Sequence, residues 1–201
     1  MKKTLNTRGR FKIQQNVDIT VRDKNGDVKR VFQQNKLFTW LLQLGILTPL
    51  APKIPLLFGH WSNHFSISNL VVSAGSAGVA SRINGSGAEA AFTSIGFGTG
   101  VVAAAAGDTA LGTGVTAAGA GDAGVHVLPT ASVTASRVTT DVTNDTAQLA
   151  GTVAITGTIA ITESGVFNAN TAGTMIARQV FSAINVVNGD SLTITWKFDV
   201  D

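Results

Sequence analysis

The sequence predicts a mainly β protein: an antiparallel β-sandwich of jelly-roll or Ig-like type, with an N-terminal β-hairpin and one short helix. Three observations predict it. Apolar residues alternate with a period of two in several segments, as on strands buried on one face only. Clusters of Gly, Asn and Asp separate those segments. Of the 201 residues 44% are hydrophobic and 22 are Gly, while only 13% are charged. Average chains carry about one-quarter charged residues, so the surface is unusually uncharged. A mean hydropathy of +0.26 excludes an intrinsically disordered chain. The lack of Cys excludes a disulfide scaffold, a thiol nucleophile and a Cys-ligated metal.

Ile13, Val17, Ile19 and Val21 occupy odd positions around Asp18 and Thr20, which predicts a first strand. Asn25-Gly26 accepts positive φ at both residues and marks a hairpin turn, with 28–33 as the returning strand. Asn35 suits a helix N-cap, and Leu37, Phe38, Leu41, Leu42 and Leu44 form an apolar helical face ending at Gly45. Pro49, Pro52 and Pro55 then prevent regular structure. With Gln43 and Lys53 they also argue against a membrane span over 37–58.

Residues 65–73 read as a strand, the Gly/Ser/Ala-rich 74–91 as a loop, 92–98 as a short strand, and 101–124 as another small-residue stretch. From 147 to 161 the odd positions are Ala, Leu, Gly, Val, Ile, Gly, Ile and Ile, predicting one long half-buried strand. Strands over 174–181 and 191–198 follow. Leu192, Ile194, Trp196 and Phe198 share one face of the last, and Asn188-Gly189-Asp190 makes the turn before it. The chain thus divides into 1–45 (basic arm, hairpin and helix), 46–91 (a Pro/Gly-rich connection with one strand) and 92–201 (the sandwich body). The N-terminal strands and the body can also form one continuous domain.

Charge is unevenly placed. Residues 1–40 hold ten Lys/Arg against three Asp, a net +7, and the rest of the chain is −4. The plainest reading is solvated strand faces; the functional one is an arm, with Arg8, Arg10 and Lys12, that docks on another protein. The arm lacks the interleaved series of stacking aromatics that a single-strand binder needs, so no nucleic-acid partner is expected. No secretory signal is expected either, because residues 6–10 are polar where an apolar stretch should follow Lys2 and Lys3.

Chemical motifs are few. Gly96, Gly98 and Gly100 imitate a dinucleotide fingerprint, but its third glycine would fall at Val101. His60 and His64 share metal-ligand spacing, yet Gly59, Trp61, Ser62 and Asn63 around them look loop-like, so no metal is expected. No Gly-x-Ser-x-Gly elbow is present. No cofactor and no catalytic residue are expected.

Segments 93–100 (TSIGFGTG), 106–112 (AGDTALG), 161–169 (ITESGVFNA), 173–181 (GTMIARQVF) and 190–198 (DSLTITWKF) occur in an order that carries more information than any one of them. In that order they resemble a family of small tailed-bacteriophage virion structural proteins, of tail-fibre, minor-tail, collar or head-decoration type. The resemblance spans about 92–198; residues 46–90 and 126–136 depart from it. Its motif residues are Gly96, Gly98, Gly100, Asp108, Glu163, Gly165, Phe167, Arg178 and Trp196. The three first glycines are expected to relieve backbone conformation, Asp108 to cap a turn, and Glu163 to bond local backbone amides and pair with Arg178. Val166, Phe167 and Trp196 are expected in the core.

The resemblance implies a non-enzymatic virion protein, a homo-oligomer that contacts other virion proteins at the tail, neck or fibre region. Capsid-surface decoration ranks next. A carbohydrate-binding module for a host glycan, using Trp61 and Phe65, ranks third, and a two-carboxylate enzyme last.

Overall fold

The computed structural model describes residues 13–34, 59–63, 65–68, 70–114 and 133–200. In chain order the elements are β1 (Ile13–Arg22), β2 (Val31–Gln34), β3 (Gly59–Ser62), β4 (Phe65–Ser68) and β5 (Leu70–Val71). Helix α1 (Ser73–Asn84) follows, then β6 (Ser94–Gly98), β7 (Val133–Val138), β8 (Thr146–Ala154), β9 (Ile159–Phe167), β10 (Met175–Val186) and β11 (Ser191–Val200). One sheet has the order β4-β1-β11-β8-β7, the other β5-β10-β9-β6, and β2 pairs with β3 in a separate ribbon. Every pairing is antiparallel. The fold is a mainly β, antiparallel sandwich.

Period-two patterning builds the core. Along β11 Leu192, Ile194, Trp196 and Phe198 are buried, opposite Val17, Ile19 and Val21 of β1. They meet Ile95 and Phe97 of β6, Ile161 and Val166 of β9, and Ile184 and Val186 of β10 in one cluster. Full burial of such a side chain contributes about 1.5–3 kcal/mol. Trp196 stacks on Phe198 at 5.9 Å and donates its indole N–H to Ser164 Oγ across the sandwich at 3.1 Å. Ser164 in turn donates to the Gly96 carbonyl at 2.8 Å, so the largest core side chain has no unmet polar atom.

Several expected elements take a different form. The 147–161 strand is two strands, β8 and β9, which lie in different sheets. Continuous alternation hid the crossing, because Ile155 stays buried through it while its amide bonds the Asp190 carbonyl. Residues 65–73 likewise split into β4 and β5 on opposite sheets before α1 begins. The Asn25-Gly26 turn is present, with Gly26 at φ 89° and Arg22 bridging Val28. The returning chain then leaves β1, and β2 pairs with β3 instead. Residues 59–62, read as loop-like, are therefore a strand.

The 74–91 loop is replaced by α1 and a turn. Its small residues are there for close approach. A Cβ on Gly75 would strike the Ile176 backbone, and one on Gly78 would come within 2.7 Å of the Phe92 ring. Gly85 closes the helix in the left-handed conformation at φ 69°. At the other end no side chain caps α1; the Ser73 amide bonds the Ala106 carbonyl at 2.7 Å. The helix expected over 35–45 lies outside the described residues. No helix among those described is long and apolar enough to cross a membrane.

Candidate functional site

Alternation along β9 sends Ser164 and Val166 into the sandwich and Glu163, Gly165 and Phe167 out of its other face. That outer face would be wet in an ordinary sandwich; here residues 99–113 fold back over it. Leu111, Phe167, Met175 and Val72 make a second small core beneath the loop. Gly165 leaves the room, since its Cβ would stand 3.1 Å from Leu111 Cδ2.

Glu163 is the anchor, at 0% exposure. Its Oε1 accepts the amides of Gly100 (2.8 Å) and Thr113 (2.7 Å), and its Oε2 accepts the Gly112 amide (2.9 Å). Arg178, 3% exposed on neighbouring β10, donates Nε to Oε2 at 2.8 Å and holds Nη2 at 2.8 Å from the same oxygen. Its remaining donors reach Asp108 Oδ2 through Nη1 (2.8 Å) and the Val102 carbonyl through Nη2 (3.1 Å). Asp108 also accepts the Ala105 amide at 2.9 Å, closing the turn at the loop's far end. Thr162 Oγ1 donates to the Gly100 carbonyl at 2.8 Å. The loop is latched at both ends and in the middle.

Burial alone would push Glu163 and Asp108 upward. Glu163 is nevertheless held below its ordinary range by the Thr113 and Gly112 amides, Arg178 and the Gly100 amide. The Ala105 amide and Arg178 do the same for Asp108. Desolvation opposes the charge on Arg178, and its two carboxylate partners raise its pKa despite that. All three groups are ionised at neutral pH.

The structure brings Gly96, Gly98, Gly100, Asp108, Glu163, Gly165, Phe167 and Arg178 to this one place. Trp196 lies behind it in the main core, joined through Ser164. Two expectations change. The amides on Glu163 are remote in sequence rather than local. Gly98 and Gly100 are needed for space, not conformation: positive φ occurs at Gly26, Gly85, Gly87 and Gly189. A Cβ would stand 2.6 Å from Glu163 Oε1 at Gly98 and 2.7 Å from Glu163 Cδ at Gly100.

The amides of Gly112 and Thr113 on Glu163 are not among the expected contacts. Arg8, Arg10 and Lys12 lie outside the described residues, as do His64, His126 and the side chain of His60. Trp61 is 65% exposed on β3. Among the described residues no three His, Cys, Asp or Glu are grouped to hold a metal ion.

The latch leaves two large apolar side chains in solvent. Val101 is 75% exposed and Val102 74%, although the backbone on either side of them is bonded to Glu163 and Arg178. Fold and site together define a β-sandwich whose outer-face loop, latched on a buried ionic lock, presents Val101 and Val102 to solvent. No protein-family model, curated protein or solved structure matches the sequence.

Proposed function

We propose that this chain is a non-enzymatic structural component of a tailed-bacteriophage particle, contacting other virion proteins at the tail, neck or fibre region. The observation that carries the reading is the latched loop that presents Val101 and Val102 to solvent. Glu163, Arg178 and Asp108 are engaged in fixing one loop, and the product of that bonding is a preorganised apolar surface at Val101 and Val102. Interface cores are depleted of charge and enriched in rigid apolar contact, and preordering removes an entropic penalty of association. Support also comes from the motif resemblance over 92–198, whose residues converge on this lock. The basic arm with Arg8, Arg10 and Lys12 is the second docking element in this reading.

Immunogold electron microscopy of intact particles tests it. Label at a single tail, neck or fibre position is expected. Label spread over the capsid would replace that position by surface decoration, and particles without the protein would overturn the reading.

A further inference from the structure

Asn followed by Gly is the pair most open to attack of a backbone nitrogen on a side-chain amide, because Gly has no Cβ to hinder the approach. The chain has three such pairs, Asn25-Gly26, Asn84-Gly85 and Asn188-Gly189. All six residues are exposed, so burial does not separate them. Their hydrogen bonds do. The Gly26 amide donates to the Asp23 carbonyl at 2.9 Å, and the Asp23 amide to the Asp27 carbonyl at 2.9 Å. The Asp23 carboxylate accepts the amides of Asn25 and Asp27 at 2.8 and 3.0 Å, and Arg22 donates to the Gly26 carbonyl at 2.9 Å. The Gly189 amide donates to the Ile155 carbonyl at 2.9 Å, while the Asp190 amide closes that turn on the Val187 carbonyl at 3.0 Å. Asp190 Oδ2 accepts the Val187 amide and the Lys29 ammonium as well. In both turns the attacking nitrogen is tied to a carbonyl, and the peptide around it rotates only if several bonds break together.

The third pair stands elsewhere. Asn84 is the last residue of α1 and Gly85 its left-handed cap, where a Cβ would meet nothing within 4 Å. The side-chain bonds at this end are local and exposed: the Ser86 amide on Asn84 Oδ1 at 2.9 Å, Ser81 Oγ on the Ser86 carbonyl, and Arg82 on the Glu89 carbonyl at 2.9 Å. Helix ends held in this way open at far lower free energy than the fold as a whole. The Ser86 amide also draws electron density from the Asn84 side-chain carbonyl, which favours attack on its carbon. We propose that Asn84 is a modification site, the position at which the folded chain loses a side-chain amide. The Gly85 nitrogen bonds to Asn84 Cγ, the Cγ–Nδ2 bond breaks, and Nδ2 leaves as ammonia with the proton that the Gly85 nitrogen gives up. A five-membered imide remains. Water opens it at either carbonyl, leaving Asp or isoaspartate at 84. Both products put a negative charge at the C-terminal end of α1, where the helix dipole disfavours it.

Peptide mass spectrometry reads this directly. Trypsin cleaves after Arg82 and Arg137, and Asn84 is the only Asn or Gln between them. The 25–29 peptide holds Asn25 alone, and fragment ions locate Asn188 within 179–197. Folded protein held at mildly alkaline pH should gain one dalton at Asn84 about tenfold faster than at Asn25 or Asn188, the ratio that 1.4 kcal/mol of easier opening gives. In urea beyond the unfolding midpoint the three rates should converge. Asp23→Ala, shown to be folded by circular dichroism, should speed the change at Asn25 and leave Asn84 as it was. Equal rates at the three pairs in the folded protein, or a faster one at Asn25 or Asn188, overturns the proposal. So does a lead of Asn84 that persists in urea, or an Asp23→Ala variant without effect at Asn25.

Discussion

Glu163 accepts three backbone amides and an arginine, and the amides of Gly100, Gly112 and Thr113 draw the two ends of residues 99–113 onto β9. Glu163→Gln keeps the shape but removes the charge and turns one acceptor oxygen into a donor facing amide N–H groups. Breaking one side of a buried ion pair costs about 3–5 kcal/mol, and a loss of about 3 kcal/mol is expected in urea unfolding at pH 7. The pH dependence has a definite sign. The native Glu163 pKa is depressed, so its contribution is fully present above the ordinary value of about 4.3 and falls away as pH drops through the native pKa. Stability of the wild type should therefore decline more steeply in acid than that of Glu163→Gln; parallel acid limbs would contradict the lock. Glycine supplies a second contrast. Gly100→Ala drives a methyl into the Glu163 carboxylate and should lose about 1–3 kcal/mol by overpacking. Gly107→Ala meets open space without positive φ and should stay within about 0.5 kcal/mol of wild type or gain slightly, as chemical denaturation of the two variants would show.

Elements are held by the turns between them as much as by their ladders. Asp145 accepts the amides of Thr140, Asp141 and Val142 at the β7–β8 turn, and those bonds hold it well below the usual carboxylate range. Asp145→Ala should speed hydrogen exchange of β7 amides while leaving β10 protected; uniform acceleration would show that β7 is not separately fastened. The same scale shows what was legible in the sequence. Alternation marks β1 and β11, the strand expected over 174–181 is the first part of β10, which runs on to Val186, and the hairpin residues Asn25, Gly26 and Gly189 mark real turns. Alternation is silent about which sheet a strand joins, so β8 and β9 read as one. Helix α1 carries no broad amphipathic stripe, because it packs closely through Gly75 and Gly78, with Val79 against the main core. Of the lock, the pairing of Glu163 with Arg178 is what the motif resemblance implies, and the structure shows it across β9 and β10. The amides of residues 100, 112 and 113 have no side-chain signature, and Lys29–Asp190, 2.6 Å apart across most of the chain, had none either.

At the scale of the whole molecule the low charge acquires a meaning. The main core joins both sheets through aliphatic side chains and Trp196, while the ionised groups at the outer face lock a loop rather than face a cleft. What the sandwich offers outward at that place is Val101 and Val102 on latched backbone, which in the proposed assembly form a docking element. The direct measurement is the amount of protein in purified particles made with a Val101→Asp/Val102→Asp variant, alongside its thermal midpoint. A midpoint within about 2 °C of wild type is expected, as for exposed substitutions generally, together with loss of the protein from particles. Normal incorporation of the folded variant would contradict it.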